Sequence, residues 1–215
     1  MSRPYIIDKD LQWLVACYLF VFGVLLVLTR HGDIVLWFNA RHTVQGDFFF
    51  KYWTYLGDGV LLGVVALYFL FKHLFKFYFL LLAVALQTVF VHIFKQWLSA
   101  GEPRPKTFFA DQIDQLNFVE GVTVRGYDSF PSGHTASAFT LAFFLIWISR
   151  SLGWSFTIFS AAVMVGLSRI YLLQHFARDV YVGSAFGILS VVIAWFILKN
   201  HCYNPKFNRG LIKRK

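Results

Sequence analysis

Apolar blocks of sixteen to twenty-two residues, separated by short polar stretches, constrain this chain more than any other feature. A helix of about twenty residues is roughly 30 Å long, the thickness of the hydrocarbon layer of a bilayer. Such blocks recur at about 11–29, 56–71, 77–98, 133–149, 154–173 and 179–198. Hydropathy therefore predicts an all-α polytopic membrane protein, a single domain over 1–215 with six transmembrane helices. The composition belongs to that class, with 58% hydrophobic, 20% aromatic and only 14% charged residues. Asp8 and Asp10 precede the first block and no small-residue cleavage site follows it, so it reads as an uncleaved span. Cys17 lies within that block and Cys202 in the basic tail, and they are not expected to pair.

Between the first two spans, "DIVLWFNARHTVQGDFFFKYW" mixes aromatic and charged residues. It reads as an amphipathic segment lying in the interface, or as a connecting loop with aromatic anchors. An even number of crossings returns both termini to one side. With both termini inside, that side carries Arg3, Lys9, Lys72, Lys76, Arg150 and six tail residues, Lys199, Lys206, Arg209, Lys213, Arg214 and Lys215. Only Asp8 and Asp10 oppose these eleven charges, whereas nine positive and nine acidic residues fall outside. The positive-inside rule thus predicts cytoplasmic termini and a basic cytoplasmic tail over 199–215. The net charge of +9 follows membrane orientation, and no nucleic-acid partner is expected.

Three polar groups fall at the outward ends of the spans. Lys95 and Arg104 occur in "FKQWLSAGEPRP", Ser132, Gly133 and His134 in "SFPSGH", and Ser168, Arg169, His175 and Asp179 in "SRIYLLQHFARD". A lysine and two arginines converging on one face make an anion site, since guanidinium forks match phosphate oxygens. Pro-Ser-Gly-His ahead of a helix offers free backbone N–H groups at the positive end of its dipole. His175 and Asp179 share a helical face at i, i+4, so the carboxylate can hold one imidazole nitrogen while the other serves as nucleophile or base. His134 can protonate a leaving group.

Taken singly, each piece has a plainer reading. Lys95 and Arg104 can snorkel, Ser132 can cap its helix, and His175–Asp179 can be a structural hydrogen bond. Zinc bound by His175, Asp179 and His134 is a further possibility. Asp58 is expected to cap the second span or to orient a site residue, His92 to pack between helices, and Arg178 to face solvent or headgroups. Arg125 reads as an exposed loop charge or a ligand for a second phosphate.

Together the residues resemble the type 2 phosphatidic acid phosphatase family, which shares its site with vanadium haloperoxidases. That family's signature is a lysine, six residues and Arg-Pro; then Pro-Ser-Gly-His; then Ser-Arg, five residues, His, three residues and Asp. The second part occurs unaltered at 131–134 and the third from Ser168 to Asp179. In the first part eight residues, not six, separate Lys95 from Arg104. Either the turn at "SAG" absorbs the extra pair, or Lys106 takes over part of the lysine's role.

The resemblance implies a metal-independent lipid phosphatase that needs no cofactor and works at the outer face of the membrane. His175 would attack phosphorus to form a phosphohistidine, Asp179 would orient it, and His134 would protonate the leaving oxygen. Lys95, Arg104, Ser132, Gly133 and Arg169 would bind the phosphate. The implied partner is a membrane lipid phosphate within the bilayer: phosphatidic acid, phosphatidylglycerol phosphate, undecaprenyl pyrophosphate or a lipid A phosphate. The long outer loop is similar to that of bacterial members, which points to an inner membrane with a periplasmic site. A phosphatase for soluble esters and a non-hydrolytic phospholipid-binding or transport protein are the rival readings.

Overall fold

The computed structural model describes residues 9–149, 151–202, 204 and 209–211. Arg3, Asp8, Arg150, Lys206, Lys213, Arg214 and Lys215 of the charge pattern lie outside the described residues. Among the described residues nine α-helices follow one another: α1 (Lys9–Leu28), α2 (Asp33–Asn39), α3 (Val44–Trp53), α4 (Gly59–Lys72), α5 (Leu74–Ile93), α6 (Pro105–Phe108), α7 (Gly133–Ile148), α8 (Leu152–Tyr171) and α9 (Ala177–Leu198). A 3-10 turn, Thr54–Gly57, joins α3 to α4, and a π-turn, Phe94–Leu98, extends α5.

Four of these helical stretches are long and apolar enough to cross a membrane: α1, α5 with its π-turn, α8, and α9 with the turn after it. A fifth is possible if α3 and α4, bent by 45° at the break between them, count as one broken span. The expected fourth span, α7, has only 16 residues. The chain is thus an all-helical integral membrane protein with four to five candidate spans by length and composition. The second span begins at Gly59, three residues later than hydropathy suggested, because Thr54–Gly57 tightens into a 3-10 turn.

α7 is the hub. It is apolar around its whole circumference, and eleven of its residues are buried between α9, α8, α5 and α4. Phenylalanines fill this centre: Phe79, Phe139, Phe143 and Phe144 are fully enclosed, and Phe79 meets Phe144 edge-on at 5.4 Å. α9 approaches α7 through two glycines. A Cβ at Gly183 would lie 2.6 Å from the Ser132 carbonyl oxygen, and one at Gly187 the same distance from that of Ala136. Such small-residue contacts bring backbones together where no hydrophobic effect drives association. They also fix the start of α7 against the start of α9. The outer surface of α1 carries exposed Trp13, Phe20, Val24, Leu25, Val27 and Leu28, as expected of a lipid-facing helix.

The 99–132 loop is stitched at its base. Pro103 bridges Tyr127, Arg104 N–H donates to the Gly126 carbonyl at 2.8 Å, and Ser129 N–H donates to the Glu102 carbonyl at 3.2 Å. Asn39 of α2 and Asn117 exchange three hydrogen bonds, and Lys51 of α3 donates to the Glu120 carbonyl. The aromatic segment between the first two spans is thereby fastened to the loop.

Candidate active site

The start of α7, the turn between α8 and α9, and the two ends of the 99–132 loop bring the expected residues together. α8 ends at Tyr171 in a Schellman arrangement: Gln174 N–H donates to the Arg169 carbonyl at 2.9 Å and Leu173 N–H to that of Ile170 at 3.1 Å. Leu173 takes the left-handed position, φ 55°, that glycine usually fills. The chain then reverses, and His175 emerges two residues later beneath the loop.

His175 therefore does not stand on the same helix as Asp179, contrary to the i, i+4 expectation. It precedes α9, and Asp179 lies in that helix's first turn. The carboxylate Oδ2 accepts Phe176 N–H at 2.9 Å, as an acid three residues into a helix commonly does, and lies 3.3 Å from His175 Nδ1. Arg104 Nη1 sits 3.4 Å from His175 Nε2. With a carboxylate at Nδ1 and a cationic donor at Nε2, the fitting tautomer carries its hydrogen on Nδ1 and a lone pair on Nε2. His175 is 2% exposed. Burial first, and then the charges of Arg104, Arg169 and Lys95, hold its pKa well below 6.5, so the ring is neutral.

Between Lys95 and Arg104 the chain passes through the π-turn and the Ser99–Gly101 turn, with Gly101 at φ 74°. Both side chains end at one atom: Lys95 Nζ donates to the Asp128 carbonyl at 2.7 Å and Arg104 Nη2 at 3.2 Å. Asp128, at φ 59°, turns that carbonyl toward them. Lys106 is exposed on α6. Arg104 also donates through Nε to Tyr127 O at 2.8 Å and through Nη1 to Gln174 O at 2.9 Å. Burial, followed by the nearby Arg125 guanidinium, lowers its pKa. Arg169 is 6% exposed; its Nη1 donates to Thr54 Oγ1 at 2.7 Å, and its buried Nε has no hydrogen-bond partner among the described residues. Among the described residues, no carboxylate lies within ion-pairing distance of Lys95, Arg104 or Arg169.

Ser132 caps α7, accepting Thr135 N–H at 3.4 Å and Thr135 Oγ1–H at 2.8 Å, which leaves its own hydroxyl hydrogen to donate. The N–H groups of Gly133 and His134 open the helix without intrahelical acceptors. A Cβ at Gly133 would meet nothing closer than Val91 at 3.9 Å, so protein packing does not demand glycine there. The half-buried His134 feels the charges of Arg169, Arg104 and Arg125 on one side and of Asp58 on the other. No group of three His, Cys, Asp or Glu side chains is placed to hold a metal among the described residues.

Such an arrangement can bind a compact anion and present a neutral imidazole nitrogen to it. Comparison with known proteins identifies the anion's chemistry. Residues 75–202 match the PAP2 superfamily model. The chain belongs to the PAP2 superfamily. It is 29% identical over 188 residues to a lipid A 4′-phosphatase of Porphyromonas gingivalis, an alignment covering 82% of this chain and 75% of that one. Its fold matches the crystal structure of Aquifex aeolicus LpxE with a TM-score of 0.66 and 31% identity, over 77% of this chain and 94% of that one. The first transmembrane PAP2-type phosphatidylglycerolphosphate phosphatase of Bacillus subtilis shares the fold at a TM-score of 0.62, with 22% identity over 87% and 97% of the two chains. The protein is thus a PAP2 phosphatase, a phosphoric ester hydrolase of the membrane.

Several residues of the PAP2 site escaped sequence reasoning. Thr54 holds Arg169, Gln174 holds Arg104, and Ser129 holds Asp179 at 2.5 Å. Gln174 and Ser129 sit beside recognised motifs, a signal available in the sequence; Thr54 offers none. Three peripheral expectations are corrected. Asp58 occupies the N-cap position of α4 but makes no side-chain capping bond. His92 is exposed on α5 and not packed between helices. Arg178 is partly exposed, yet it pairs with Glu102 at 2.6 Å and turns Nε toward Asp179 Oδ1 at 3.5 Å.

Proposed function

We propose that this PAP2 phosphatase hydrolyses a lipid phosphate at the outer face of a bacterial inner membrane through a phosphohistidine intermediate. One observation carries the reading: three cationic side chains, two of them buried, lie around a neutral histidine, and among the described residues no carboxylate stands within ion-pairing distance of them. Buried charge without a partner is costly, and an entering phosphate dianion supplies the missing countercharge.

His175 Nε2 attacks phosphorus, forming a P–N bond as the P–O bond to the lipid breaks. His134 gives its proton to the departing oxygen and then takes one from the water that cleaves the P–N bond, releasing phosphate. The dianion among the cations favours the protonated His134 that the first step requires. Asp179 holds His175 Nδ1–H and stabilises the positive charge that attack creates. Lys95, Arg104, Arg169, the Ser132 hydroxyl and the Gly133 N–H bind the non-bridging oxygens, and these cations take the place of a metal. The topology proposed is a single domain with six spans, α4 forming the second and α7 the fourth, cytoplasmic termini and a periplasmic site. A lipid A phosphate heads the candidate substrates, because a relative aligned over most of this chain is a lipid A phosphatase.

The test is phosphate release by purified protein in detergent. The panel is lipid A 1- and 4′-phosphates, phosphatidic acid, phosphatidylglycerol phosphate, undecaprenyl pyrophosphate and a soluble ester, each with and without vanadate. Turnover of a lipid substrate, blocked by vanadate and abolished by His175→Ala, is expected. Release surviving His175→Ala removes the nucleophile, and turnover confined to the soluble ester removes the lipid.

A further inference from the structure

We propose that Ser129, backed by Arg178 and Glu102, is a positioning residue that keeps Asp179 ionised and aimed at His175. The inference rests on the reading of His175 as nucleophile.

The four polar residues close a ring. Ser129 Oγ–H donates to Asp179 Oδ2 at 2.5 Å. Arg178 Nε faces Asp179 Oδ1 at 3.5 Å, and Arg178 Nη2 binds Glu102 Oε2 at 2.6 Å. The Ser129 N–H returns to the Glu102 carbonyl at 3.2 Å. Ser129 and Asp179 are both 0% exposed, so water does not share the task.

A carboxylate removed from water stays charged only while donors and cations surround it. Oδ2 carries three: Ser129 Oγ, Phe176 N and His175 Nδ1. Among the described residues Oδ1 has no hydrogen bond and depends on the Arg178 charge. The backbone of Phe176 would hold Oδ2 in any carboxylate-capped helix. Ser129 is different, because it arrives from 50 residues away, at the approach to α7. It couples the loop that ends in Ser132, Gly133 and His134 to the carboxylate that orients His175. Arg178 and Glu102 complete the same coupling from the Arg104 end of the loop. An outer partner that orients a reacting group commonly accounts for a large part of its effectiveness.

The consequence is specific. Without the Ser129 hydroxyl, Oδ2 loses its shortest donor and Asp179 accepts a proton more readily. Once protonated, it no longer takes the His175 Nδ1–H, and the wrong tautomer results. The charged or titratable groups bearing on Asp179 are His175 from the preceding turn, Arg178 on its own helix and His31 from the loop after α1. Lys95 and Arg104 also interact with its charge, from across the site.

Ser129→Ala and Arg178→Gln, purified in detergent, are assayed for phosphate release from a lipid monophosphate across pH, beside His175→Ala. Loss of one donor or countercharge on a buried carboxylate should lower kcat roughly tenfold in either variant, with KM little changed. The acid limb of the kcat/KM profile should move to higher pH. A folded Ser129→Ala with wild-type kcat and an unmoved acid limb overturns the proposal. So does a slower variant whose acid limb stays in place, which is the mark of a merely structural role. Where Ser129→Ala does not fold, an unchanged profile in Arg178→Gln has the same force. If His175→Ala keeps its turnover, the phosphohistidine reading fails. If His175→Ala is inactive and Ser129→Ala is unaffected, only this inference fails.

Discussion

His175 is gripped at both ring nitrogens and enclosed among cations, and its titration follows from that setting. Protonation would place a fourth positive charge beside Arg104, Arg169 and Lys95 in a site with little water. The charged form is disfavoured, so the pKa lies below 6.5 and the ring remains a nucleophile into acid. The acid limb of kcat/KM should accordingly fall below the ordinary imidazole range. In the kcat profile, which reports the substrate-bound enzyme, the alkaline limb should report loss of the His134 proton that the bound dianion holds, giving a bell-shaped profile. Arg169→Gln removes one repelling charge and one phosphate ligand. The acid limb should then move to higher pH while kcat/KM drops about 10²–10³-fold, the usual cost of one donor that stabilises developing charge. A pH–rate series on the two proteins checks both effects.

At the scale of elements, the closeness of α7 and α9 sets the distance between the two halves of the site. Gly187→Ala would put a methyl 2.6 Å from the Ala136 carbonyl oxygen and 2.7 Å from Phe139 Cβ, so the helices must part. Overpacking of this kind costs about 1–3 kcal/mol. A lower melting temperature in detergent and a lower kcat are expected, since Ser132 and His134 ride on α7 while Asp179 rides on α9. Gly63→Ala, where a Cβ meets nothing within 4 Å, should leave both unchanged. The sequence displayed the elements well because each hydrophobic block is contiguous, and it displayed Pro131–His134 and Ser168–Asp179 because their spacing is local. Thr54 on Arg169 and Ser129 on Asp179 were hidden, since those contacts join residues 115 and 50 positions apart. The i, i+4 spacing of His175 and Asp179 suggested one helix. Leu173, in its left-handed conformation, ends α8 and throws His175 clear of α9 instead.

For the whole molecule, the proposed topology puts the site on one side of the membrane and the tail on the other. In a Cys17→Ser, Cys202→Ser background, a cysteine replacing the exposed Arg125 should react with a membrane-impermeant maleimide added to spheroplasts. A cysteine at Gly210 should react only after lysis. Labelling in the opposite order reverses the proposed orientation. Charge counting is what supports this proposed topology, because Lys and Arg distribution follows sidedness. The number of crossings was less legible: α7 is short, and α3 bends from α4 by 45°.

The stitched base of the 99–132 loop has a further consequence for how such a protein can diversify. Because the bridge of Pro103 to Tyr127 and the bonds of Arg104 and Ser129 close the loop at its root, residues 106–123 form an excursion whose ends are already fixed. Insertions, deletions or wholesale exchange of that lobe would leave the root in register, since lengthening a closed loop costs little entropy. The root that carries Arg104 and Ser129 and the lobe beyond it are therefore separable modules, one free to vary while the other keeps its geometry.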